Sequence, residues 1–139
     1  MKIINTILKV VLSLLLISPI LGVLGVFPEP TADMYTNAEA FTFITILMKT
    51  HYIVVMEAVV FLLALVSLWT NRVALAALLL LPLSLNIVGF HAFMDGGLFT
   101  AGAIMGNVLL VLNLYFLWQS RAEIMPLICK KDAVSQTIA

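Results

Sequence analysis

The sequence predicts an all-α fold: an antiparallel four-helix transmembrane bundle forming one domain, with a short interfacial helix between the first and second spans. Three observations lead there. Of 139 residues, 63% are hydrophobic and 10% charged, and the mean hydropathy is +1.18, whereas an ordinary soluble domain is about a quarter charged. Four apolar stretches each approach the roughly 20 residues a helix needs to cross a hydrocarbon core. Turn formers separate them, and lipid offers backbone polar groups no partner outside a helix.

The first span is read over 7–27, closed by Pro28, Glu29 and Pro30. A basic start followed by an apolar run is also the pattern of a cleavable secretory signal, but the run is long for a signal core and no Ala-x-Ala site follows. The remaining spans are read over 52–69, 73–94 and 99–118, with stops at Thr70-Asn71-Arg72, Asp95-Gly96-Gly97 and Gln119-Ser120-Arg121. The second and third, joined by a tight turn, must be antiparallel neighbours. Residues 119–139 are read as a cytoplasmic tail. In the connection 28–50, Thr36 with Glu39 three residues later has the form of a capping box. Phe41, Ile44, Leu47 and Met48 then share one side and Glu39, Thr42, Thr45 and Lys49 another, the pattern of a short amphipathic helix lying in the interface or capping the bundle as a lid.

Basic residues orient the bundle. With both termini cytoplasmic, Lys2, Lys9, Arg72, Arg121, Lys130 and Lys131 fall inside and only Lys49 outside, as the positive-inside rule prefers. Trp69 and Trp118 then lie at the cytoplasmic boundary, where indoles commonly sit. Seven basic and seven acidic residues cancel, which leaves no basic stripe and predicts no nucleic-acid partner. Cys129 is the single cysteine, so no internal disulfide or Cys-x-x-Cys chemistry is available.

Polar side chains inside spans are costly and therefore informative. Here they are Glu57, Asn86, His91, Asn107 and Asn113. At about 1.5 Å of rise per residue, Glu57 lies roughly 8 Å below the outer surface, His91 roughly 5 Å, and Asn86 and Asn107 roughly 12 Å. Glu57, Asn86, His91 and Asn107 thus form a polar layer in the outer half, the candidate site, with His51 and Asp95 at its mouth. Asn113 is deeper. Asn86 and His91 stand about 140° apart on an ideal helix, so only one is expected to face Glu57, unless Pro82 alters the geometry. Each residue also has a purely structural reading. Asparagines in bundles are more often interhelical bonds than ligands, Asp95 before two glycines fits a turn, and one His with one Glu is too few for a metal site. Gly102 and Gly106 form a Gly-x-x-x-Gly pattern that permits close helix packing.

The run from Pro82 through Asn86 and His91 to Asp95, followed by Val111-Leu112-Asn113-Leu114-Tyr115 and a basic exit at Arg121, resembles the DoxX family of small four-span membrane proteins. The stretch 40–52 and Glu57 add to the resemblance, which covers most of the chain after Asn37. It departs from the family pattern at Val60-Phe61, where glycines are common, and at Val54, where a lysine often precedes the carboxylate by a turn. The resemblance implies an antiparallel bundle in a prokaryotic plasma (inner) membrane, with Glu57, Asn86 and His91 as the positions carried over. It also implies a link to membrane redox complexes, with their subunits as partners beside the lipid bilayer and a quinone as the associated cofactor. Fold likeness does not by itself transfer chemistry. Three functions are therefore open: an accessory or quinone-interacting subunit of a membrane oxidoreductase, a non-catalytic assembly protein, and a small proton or solute transporter.

Overall fold

The chain, described here over residues 2–129 by a computed structural model, is all-helical in that range. Helix α1 spans Lys2–Val23, α2 Ala38–Thr50, α3 Tyr52–Trp69, α4 Val73–Phe93, α5 Ala101–Gln119 and α6 Arg121–Ile128, and one 3-10 turn covers Ala32–Met34. Helices α1, α3, α4 and α5 are each long and apolar enough to cross a membrane. Together they make the chain a multi-pass membrane protein. Lys130 and Lys131 lie outside the described residues.

The four long helices alternate in direction. Helix α1 packs on α3, α3 on α4 and α4 on α5, and α5 closes back on α1. Leu12 and Leu16 of α1, Phe61, Ala64 and Leu68 of α3, Ala76, Ala77 and Leu80 of α4, and Leu109, Leu112 and Phe116 of α5 build one core. Small residues in that set let backbones approach, which is where dispersion gains arise between helices in lipid. The outward faces are as apolar as the core. Along α3, Met56, Val59, Leu62, Leu63 and Val66 are all exposed, a surface suited to acyl chains and not to water.

Several boundaries differ from the sequence reading, each for a local reason. Helix α1 ends at Val23, ahead of the prolines, because Gly25 turns left-handed at φ 75°. The Val26 N–H then reaches back to the Leu21 carbonyl at 3.1 Å, the Schellman closure that glycine favours. Helix α5 starts at Ala101 because the Thr100 hydroxyl accepts from the Ala103 N–H at 3.3 Å, satisfying an orphan donor of the first turn. The capping box does not form: α2 has Asn37 at its N-cap, with no side-chain cap bond. Tertiary partners take those groups instead. The Thr36 N–H donates to Asp95 Oδ1 at 2.8 Å, and the Asn37 amide donates to the Met94 carbonyl at 2.9 Å.

Within the stretch read as a tail, residues 121–128 form α6 and Ile124 is buried. Arg121 lies over the Trp118 ring at 4.7 Å and donates to the Trp118 carbonyl at 3.0 Å. At the same end, Trp69 Nε1 donates to Ser13 Oγ at 2.9 Å and Lys9 Nζ to the Leu68 carbonyl at 3.1 Å. These bonds tie α1 to α3, so the first span is an integral wall of the bundle.

Candidate functional site

Helix α2 lies across the end of the bundle opposite Lys9 and Arg121 and separates two cavities. Its Phe41, Ile44, Leu47 and Met48 are partly buried, while Glu39, Thr42, Thr45 and Lys49 are exposed, the two faces the spacing predicts. One cavity, about 570 Å³, lies among α2, α3 and α4. Glu57 of α3 lines it together with Asn86 and His91 of α4. Phe43, Ile44 and Leu47 of α2 and Tyr35, Leu85, Phe90 and Phe93 supply the apolar and aromatic wall. The expected angular separation of Asn86 and His91 does not divide them, because the cavity wraps α4 from Leu85 to Met94.

Each polar group is held differently. Glu57 is half-buried and Asn86 exposed, and among the described residues neither side chain has a hydrogen-bond partner. His91 is fixed: its Nδ1 lies 2.9 Å from Asp95 Oδ2, and an Nδ1–H donated there leaves Nε2 as the imidazole's acceptor. Asp95 is 2% exposed and uses its other oxygen for the Thr36 N–H. It is therefore a buried brace rather than a mouth residue, joining the end of α4 to the approach to α2. Gly102 of α5 completes the seat, because a Cβ there would come within 2.8 Å of His91 Cε1. Gly106 does the same one turn on, against Ile87 Cγ2 at 2.8 Å. The Gly-x-x-x-Gly pattern thus packs α5 on α4 within one chain.

The structure does not bring Asn107 into the cavity. Its amide donates to the Leu98 carbonyl at 2.7 Å, closing the α4–α5 connection. Asn113, fully buried, is interhelical glue. With Nδ2 donating to the Ala77 carbonyl at 3.0 Å, its oxygen accepts from the Leu81 N–H at 3.0 Å and from Ser84 Oγ at 3.2 Å. That contact sits one turn from Pro82, which deprives the Leu78 carbonyl of its ladder donor. His51 lines the second cavity and serves as a left-handed joint at φ 57° between α2 and α3. Val54, where the resemblance would place a lysine, also lines that second cavity, so it faces away from the compartment of Glu57. Phe61 occupies the core rather than the site.

Sequence reasoning missed the aromatic wall. Phe43 stacks on Phe90 with centroids 5.8 Å apart, and Tyr35 meets Phe90 edge-on at 6.4 Å. Phe90 in turn meets the His91 ring at 5.1 Å. For the His91–Asp95 brace a signal was available, the i, i+4 spacing of the two residues across the end of α4.

Burial first, and the neighbouring Asp95 charge second, hold the Tyr35 hydroxyl above the ordinary tyrosine range. The neutral phenol is thus favoured in the folded state. Its contribution is complete below the unfolded tyrosine value and is lost as pH rises through the folded one. Alkaline titration of thermal stability in detergent is expected to show a decline at high pH that Tyr35→Phe reduces. An identical decline in both proteins would contradict this assignment.

Among the described residues no three His, Cys, Asp or Glu side chains converge as metal ligands would. Compared with protein-family models, curated proteins and solved structures, the chain has no significant match.

Proposed function

We propose that the chain is a DoxX-like membrane protein that binds a quinone in the cavity among α2, α3 and α4 and serves as an accessory subunit of a membrane oxidoreductase. One observation carries the reading: Glu57 and Asn86, without partners among the described residues, share an aromatic-walled cavity of about 570 Å³ with a braced His91. Unpaired polar groups at span depth are expensive, so a ligand that satisfies them gains what they lack. The volume falls within the roughly 300–1,000 Å³ typical of small-molecule sites. Asn86 would donate to a ring carbonyl, Glu57 would accept from a ring hydroxyl, and Phe43, Phe90 and Tyr35 would flank the ring. Bound quinone supplies two-electron redox chemistry, and the chain's own part is to hold the head group and exclude water.

The same reading places both termini in the cytoplasm of a prokaryotic plasma membrane. Supporting it, Lys2, Lys9, Arg72 and Arg121 belong to one end of the bundle and Lys49 to the other. A second reading, a non-catalytic assembly protein, draws on Asn113, Asn107 and Asp95, whose polar atoms serve contacts within the fold.

Binding of a short-chain ubiquinone to purified protein, followed by isothermal titration calorimetry, separates the two. Glu57→Gln is expected to weaken binding about tenfold while leaving thermal stability unchanged, since Glu57 holds no other described residue. The assembly reading expects the reverse, a stability loss with no binding in either protein.

A further inference from the structure

We propose that the second cavity is a site for a zwitterionic phospholipid with a primary ammonium headgroup, of the phosphatidylethanolamine class. About 610 Å³ in volume, it is bounded by the end of α1 and the loop after it, by α2 and by the start of α3. Its wall carries both signs of charge: Lys49 at the last turn of α2, and Glu29 between Pro28 and Pro30. Among the described residues the single oppositely charged pair within 4.0 Å is His91 with Asp95. Lys49 and Glu29 therefore line one cavity without neutralising each other.

Two separated, opposite charges complement a headgroup that carries a phosphate and an ammonium a few bonds apart. Lys49 receives the phosphate, and the Glu29 carboxylate receives the ammonium. His51 lines the same wall with its Nδ1 turned to the Met48 carbonyl. Apart from Thr45 the rest of the wall is apolar, with Val23, Phe27, Phe41, Met48, Val54 and Val55. Since the cavity lies at the ends of two spans and the neighbouring faces of α1 and α3 are exposed and apolar, a lipid lying alongside can insert its headgroup while its chains stay on the bundle surface. A primary ammonium is specified because it donates hydrogen bonds to a carboxylate, which a quaternary one cannot. The site is separated by α2 from the cavity assigned to quinone and does not depend on that assignment.

The test is native mass spectrometry of protein re-extracted from vesicles containing equal parts of phosphatidylethanolamine, phosphatidylcholine and phosphatidylglycerol. Phosphatidylethanolamine is expected to be retained about fivefold over each of the others. Glu29→Gln should erase that preference while total retained lipid stays the same, and Glu29→Asp should keep it. Lys49→Gln should lower retention of all three phospholipids. These side chains are exposed, so the variants keep their helicity, which circular dichroism checks. Equal retention of the three lipids, or a preference that survives Glu29→Gln, would overturn the proposal.

Discussion

Replacing Asp95 by alanine is expected to lower the stability of the bundle by about 2–4 kcal/mol, because it strips partners from two groups at once. The Thr36 N–H and His91 Nδ1 both depend on this 2%-exposed carboxylate, and a buried donor left unmade costs more than a bond is worth. Thermal unfolding in mild detergent measures the loss, and hydrogen exchange at the Thr36 amide locates it. Asp95→Asn should cost less, since an amide oxygen still accepts from Thr36 and the imidazole can change tautomer to accept from the amide N–H. Equal losses in the two variants, or no loss in alanine, would refute the brace. The effect extends to the site: with α2 released at its start, Phe43 and Ile44 no longer hold one wall of the cavity proposed for quinone, and any binding there should weaken with stability.

The second large effect is expected at Phe61, where substitution by alanine should cost about 3–5 kcal/mol. This ring is 2% exposed and belongs to the core that also holds Leu12 and Leu16 of α1 and Ala76, Ala77 and Leu80 of α4. Between helices in lipid the loss is of packing contacts rather than of burial from water, so the cavity left behind decides its size. Phe61→Leu should recover most of it. Phe93 and Phe99, 91% and 97% exposed, serve as controls, and alanine at either should change stability by less than about 0.5 kcal/mol. Equal effects at Phe61 and Phe93 would show that the bundle does not pack through α3 as described.

Phe61 also shows what a resemblance obscures. Against the family pattern it stands where a glycine is common, yet here the ring is a buried member of the core shared by the four long helices. Glu57 was legible as a candidate because a carboxylate amid apolar residues stands out by composition alone, and it lines a cavity. Asn107 was not separable from Asn86 by depth, although one closes a loop and the other lines a cavity. Depth along a helix follows from residue count, but azimuth also depends on which face meets a neighbour. Asp95 read as turn chemistry because Gly96 and Gly97 follow it, and both readings hold: the turn exists, and it aims the carboxylate inward.

By itself the amino-acid order determined the number of spans, their antiparallel alternation, the helix between the first two and the two faces of that helix. Each of these follows from local partition between lipid and water and from backbone groups that a span must satisfy internally. Only the tertiary structure decided where α2 begins, that α6 forms, that Asp95 braces His91, and that Glu57, Asn86 and His91 share a compartment that excludes Asn107. Those outcomes depend on partners distant in sequence, such as Thr36 with Asp95 or Gly102 with His91, and no local pattern carries the geometry that brings them together.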